Sequence, residues 1–323
     1  MEFFTTEYGV LSDLANYTLY ENGTLKDCTT NKANIIKTKY GDLIPQYDYI
    51  DVRRKYIKSI SFFPDGKLSR ISLNEQTPIE TSIGIIRVEL ITFYPSGNIN
   101  RIFPLNGQLS GYWDEEQEYD LTKDIDFSFP FGNFVSRATG IYFYDNGHVK
   151  GLSLWTNEII EINTPIGNQS VRLGLSLYEN GTIKAFEPSS PLSVLSPIGH
   201  ILAFDANDYL FFKECKSVNF YENSAIESIM TSKSKIVVVD RDKNIHVYEP
   251  RCCDNFDDGD FYIYPLKVSF LNNTVFFNDL DSFKIDECTF TIDKQLDLHS
   301  SPQCTHNCST CGAACSTSSI SIV

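Results

Sequence analysis

A short aromatic motif ending in a tight turn recurs six times in the first 230 residues, and this recurrence restricts the possible folds more than any other feature of the chain. The turns fall at Gly23, Gly66, Gly97, Gly147, Gly181 and Ser224. The residues just before them are Asn22, Asp65, Ser96, Asn146, Asn180 and Asn223. Asn-Gly and Asp-Gly pairs tolerate positive φ and mark hairpin turns. Four and three residues before each turn stand Leu19-Tyr20, Phe62-Phe63, Phe93-Tyr94, Phe143-Tyr144, Leu177-Tyr178 and Phe220-Tyr221. Six before it comes Tyr17, Ile60, Ile91, Ile141, Leu175 or Val218. Two after it comes Leu25, Leu68, Ile99, Val149, Ile183 or Ile226, and three further on Cys28, Ile71, Ile102, Leu152, Phe186 or Ile229.

Residues six and four before the turn share one face of a strand, because strand side chains alternate. After the turn the apolar spacing is three rather than two. That spacing predicts a bulge or an edge twist, which re-aims the side chains. Cys28 stands in a column filled elsewhere by Ile, Leu and Phe, so it is expected to be a core thiol. A second glycine element follows most hairpins: TKYG to Gly41, TSIG to Gly84, FPFG to Gly132, TPIG to Gly167 and SPIG to Gly199. Each unit therefore reads as two hairpins. No single hairpin buries its own apolar face, so neighbours must stack. The expected fold is all-β: an elongated, twisted antiparallel sheet of tandem hairpins. High Phe and Tyr content, 23 and 18 residues, suits strands.

YENG at 20–23 and 178–181 and YDNG at 144–147 resemble the variant of the MORN repeat found in bacterial antitoxin-like proteins. The likeness covers residues 10–230. The regular glycine spacing of the standard repeat and the second hairpin are not shared. The resemblance implies a scaffold or protein-binding array.

The chain divides into a repeat array over 1–230, a β region over 231–297 that caps it, and a Cys-rich tail over 298–323 expected to be disordered. The unit at Gly97 carries an insertion, NGQLSGYWDEEQEYD, in which Glu115 to Thr122 is the best helix candidate. Trp113, flanked by Tyr112 and by Asp114, Glu115, Glu116 and Glu118, reads as an exposed aromatic in an acidic rim. Tyr112, Trp113, Glu115 and Glu116 are accordingly the candidate partner-binding residues. The competing reading is a tryptophan tucked onto the sheet beside an ordinary charged loop.

The tail reads CTHNCSTCGAAC. Cys304, Cys308, Cys311 and Cys315 have spacings that allow convergence on zinc or an iron–sulfur cluster. Two other readings stay open: unligated thiols, and a tail modified by a partner enzyme that the folded array recruits. Cys252-Cys253 reads as a pair of loop thiols. The acidic run from Asp254 to Asp260 fails the calcium-loop pattern, because Phe256 and Pro265 stand where ligands are required.

Net charge narrows the partners. At -15 the chain repels nucleic acid and anionic membranes, so neither is expected as a partner. Arg53, Arg54 and Lys55 are the densest basic run. The start of the sequence lacks a signal-peptide pattern and no stretch is apolar enough to span a bilayer, so the cytoplasm is the expected compartment. No nucleophile–base pairing, phosphate loop or dinucleotide fingerprint is legible. The expected function is non-enzymatic: a repeat scaffold binding a protein.

Overall fold

The computed structural model describes residues 3–47, 52–54, 57–110, 112–207, 216–254 and 261–294. The repeat dictates the architecture. All six hairpins lie side by side in one antiparallel sheet of 16 strands. Fifteen of these strands follow one path, from Leu14–Leu19 at one edge to Asp281–Lys284 at the other. At the usual strand spacing this path is about 70 Å long.

Each turn is built alike. The glycine N–H, or that of Ser224, donates to the carbonyl three residues earlier at 2.8–2.9 Å. The side chain before it accepts from the N–H two residues on, as Asn22 does from Thr24 at 3.0 Å and Asn180 from Thr182 at 2.9 Å. The turn residue itself has φ between +68° and +87°. This is a type I turn closed by a left-handed residue. The expected bulge is present in all six. Register skips Lys26, Ser69, Asn100, Lys150, Lys184 and Glu227, each three residues past its turn.

The bulge realigns the apolar columns into one row. Cys28, Ile60, Ile71, Ile91, Ile102, Ile141, Leu152, Leu175, Phe186, Val218, Ile229, Val268 and Phe277 are consecutive cross-strand partners. None of them is more than 1% exposed. Phe93, Phe143 and Phe220 occupy a parallel row and are 4%, 2% and 0% exposed. Burial of such a side chain stabilises by about 1.5–3 kcal/mol, so this shared core dominates the fold. Burial also pushes the Cys28 thiol up to about 12, aided by Asp27, and fixes it as a core residue.

The second hairpins fold back over this apolar face as a covering layer. Four of the five turn at Thr-x-x-Gly or Ser-x-x-Gly, where the hydroxyl donates to the glycine carbonyl at 2.6–3.0 Å, and the fifth turns at Phe129–Gly132. A further copy at Thr6–Gly9, not singled out in the sequence, makes the same bond at 2.8 Å. Their tips reach across one hairpin to the next but one. Tyr8 packs on Phe62 and accepts from Leu68 N at 3.0 Å. Tyr40 does the same with Phe93 and with Ile99 N at 3.1 Å. Ser82 donates to the Gly147 carbonyl at 2.7 Å. The layer contributes Ile36, Leu43, Ile79, Ile86, Ile160, Ile162, Val194 and Ile201 to the core.

The array runs past residue 230. Leu266–Leu271 and Thr274–Phe277 form a seventh hairpin, paired to Ile226–Thr231 in the same sheet. Its turn has two residues, Asn272 and Asn273, both at positive φ (48° and 59°). The missing Gly hides it from the motif. Lys235–Val239, Ile245–Tyr248 and Thr289–Asp293 form a separate three-stranded sheet. It packs on the array's end through Tyr248 stacked on Phe277 at 4.0 Å. The described residues after 230 are thus part array and part cover. Among the described residues no helix is long and apolar enough to cross a membrane.

Candidate functional site

The insertion after Leu105 is built around a buried charge cluster. The expected helix forms over Glu115–Leu121, starting at a capping box. Asp114 accepts from Gln117 N at 2.8 Å, and the Gln117 side chain accepts from Asp114 N at 3.0 Å. The helix carries Glu118 inward, where it is 4% exposed. Its carboxylate accepts from Arg53 Nε at 2.8 Å, Trp113 Nε1 at 2.6 Å and Gly107 N at 2.9 Å. Arg53 Nη2 also donates to Glu89 at 2.6 Å. Burial opposes the charge of Arg53, but its hydrogen bonds to Glu89 and Glu118 outweigh that and raise its pKa.

Arg54 completes the frame. It donates to the Leu73 carbonyl at 2.7 Å and to Ser72 Oγ at 2.9 Å. Asn106 donates to the same Ser72 oxygen at 2.9 Å. Glu118 leaves no space beside Gly107, where a Cβ would lie 2.3 Å from its carboxylate. The helix is tied on its other side as well. Glu115 accepts from Thr156 Oγ1 at 2.8 Å. Tyr119 packs edge-on against Trp155 at 5.8 Å and donates to Glu158 at 2.7 Å. Burial opposes ionisation of Glu158, but hydrogen bonds from Ser136, Tyr119 and Arg137 N lower its pKa overall.

This arrangement separates the four candidate partner-binding residues. Trp113 is half-buried with its indole N–H on Glu118, so it belongs to the frame rather than to an exposed rim. Glu115 is half-buried and bonded to Thr156, while Glu116 is exposed. Tyr112 is the presented aromatic, at 86% exposure. Its neighbours are bonded to one another: Ser110 and Trp113 exchange backbone hydrogen bonds at 2.8 and 3.3 Å, and Tyr112 N donates to Ser110 Oγ at 3.2 Å.

Two exposed aliphatic residues lie in the adjoining segments. Arg54 and Gly107 form an antiparallel bridge and Gln108 N donates to the Arg53 carbonyl at 2.8 Å. That register sets Val52 opposite Leu109, and these are 64% and 52% exposed. Sequence reasoning missed this pair, and it missed the Arg53–Glu118 bond. The only signal was the densest basic run of the chain lying upstream of its most acidic insertion.

The other candidates are placed more simply. Cys304, Cys308, Cys311 and Cys315 lie outside the described residues, as does most of the Asp254–Asp260 run. Cys252 is exposed, and it lies in a strand, Arg251–Asp254, rather than a loop. Among the described residues no group of three or more His, Cys, Asp or Glu is placed to hold a metal. His148 is exposed beside its turn. His246 is half-buried, 3.0 Å from Asp240, and its hydrogen bond together with that from Asn244 brings Asp240 down to about 2. No protein-family model, curated protein or solved structure matches this chain.

Proposed function

We propose that this protein is a non-enzymatic repeat scaffold that binds a protein partner, with Tyr112, Val52 and Leu109 as the contact patch. One observation carries the reading: an almost fully exposed tyrosine between Ser110 and Trp113, which are bonded to each other, beside the buried Arg53–Glu118 frame. An exposed aromatic on an anchored backbone has less chain entropy to lose on binding, and tyrosine is among the residues enriched at interface hot spots. Glu116, exposed beside it, supplies a charge at the rim. The likeness of the hairpin motif to MORN-variant arrays points the same way. In this reading the protein works in the cytoplasm, without a nucleic-acid or membrane partner. Its tail thiols Cys304, Cys308, Cys311 and Cys315 stay reduced there and hold zinc or an iron–sulfur cluster.

The test is co-purification from the native host, wild type against Tyr112→Ser. A stoichiometric protein that the variant loses, with an unchanged unfolding midpoint, supports the proposal. Equal recovery with both removes Tyr112 from the interface. For the tail, anaerobic purification should yield about one zinc ion or one cluster per chain, lost in Cys308→Ser/Cys311→Ser. Metal-free wild-type protein with four alkylatable tail thiols would overturn that part.

A further inference from the structure

The outer face of the sheet, opposite the buried isoleucine row, holds positive charge that lacks a counterpart among the described residues. Register aligns Asp27, Ser61, Arg70, Thr92, Arg101 and Tyr142 across neighbouring strands. Asp27 has its cation, Lys58, at 3.1 Å. Arg70 is half-buried, and its guanidinium makes no hydrogen bond or ion pair with any described residue. Burial alone acts on it and lowers its pKa. Arg101 is exposed, lies over the Tyr142 ring at 5.4 Å, and has no ion pair among the described residues. Between the two arginines, Thr92 Oγ1 is buried without a hydrogen-bond partner among the described residues.

A half-buried guanidinium with no acceptor among the described residues, as at Arg70, is unfavourable to keep partly desolvated. An oxyanion relieves it, and guanidinium groups receive carboxylates in a fork. The strand that carries Arg70 also carries Ser72, two residues on and so on the same face. Ser72 is bonded to Arg54 and Asn106, the segments that frame the Tyr112 patch. Arg70 and Arg101 stand two strands apart, about 10 Å between Cα atoms. Acidic side chains at alternate positions of an extended peptide are about 7 Å apart on one face, within reach of two long arginines.

We propose that Arg70 and Arg101, which flank Thr92, receive the carboxylates of an acidic, extended segment of the protein partner. The proposal rests on the protein-binding reading above and adds the partner's chemistry to it. Because the whole chain is strongly acidic, the attraction is local and falls with added salt.

The probe is a fluorescent peptide of alternating leucine and glutamate, titrated with the full chain and followed by anisotropy. Binding should weaken about tenfold or more in Arg70→Gln/Arg101→Gln. It should persist in Lys150→Gln/Lys184→Gln, a control for cations elsewhere on the sheet. The unfolding midpoint of Arg70→Gln should equal or exceed wild type, because no internal bond is lost. Equal binding of a leucine–glutamine peptide, equal loss in the lysine variant, or a lowered midpoint in Arg70→Gln would each overturn the proposal. So would displacement of the peptide by inorganic phosphate or anionic vesicles at lower concentration, which would reassign the site to a phosphate ligand. If Tyr112→Ser abolishes partner capture while the arginine variant retains it, this inference fails and the protein-binding reading stands.

Discussion

At the scale of single residues, the tyrosine three places before five of the six turns links neighbouring hairpins. Tyr20, Tyr94, Tyr144, Tyr178 and Tyr221 donate to the carbonyls of Phe62, Phe143, Leu177, Phe220 and Phe270 at 2.6–2.9 Å. Phe63 occupies the same place in the second hairpin and has no hydroxyl. Phe63→Tyr should therefore bond the Phe93 carbonyl and raise stability by about 1 kcal/mol, and Tyr144→Phe should lower it by a similar amount. Urea midpoints of the two variants, moving in opposite directions, check this. Gly174 is a stricter position. It has φ +99°, and a Cβ there would lie 1.9 Å from the Leu152 carbonyl oxygen. Gly174→Ala should cost at least about 2 kcal/mol, seen in the same unfolding experiment.

At the scale of elements, a seven-residue helix is too short to be stable alone. Its bonds to the array hold it: Glu118 to Arg53, Tyr119 to Glu158, Glu115 to Thr156. Glu118→Ala leaves Arg53 with one carboxylate and frees the Trp113 indole. The expected loss is about 3 kcal/mol, with red-shifted and more quenchable tryptophan emission as the local readout. An unchanged spectrum would show that the helix is held without this pair. The hairpin columns were readable in the sequence because every copy repeats them. The ion-pair frame was not, because Arg53 and Glu118 are 65 residues apart and only the folded sheet brings them together.

At the scale of the molecule, stability is shared along one core row, so damage in the middle reaches both neighbours. Ile141 is fully buried between Ile102 and Leu152. Ile141→Ala should cost about 2–5 kcal/mol, and hydrogen exchange should quicken first in the hairpins at Gly97 and Gly147. Uniform acceleration across all hairpins would instead mean a single cooperative unit. The seventh hairpin extends the row to Phe277, where the three-stranded sheet covers it through Tyr248.

The sequence by itself determined the hairpins, their bulges, the buried columns and the place of the short helix. These follow from local turn chemistry and side-chain alternation, which repetition makes visible. Tertiary structure decided which of two adjacent aromatics faces solvent: Trp113 turns in because Glu118 needs its N–H, and Tyr112 is left out. It also decided that the second hairpins cover the sheet by reaching past a neighbour, and that Arg70 and Arg101 flank Thr92. Those relations depend on strand order and on partners distant in sequence, and no local spacing encodes them.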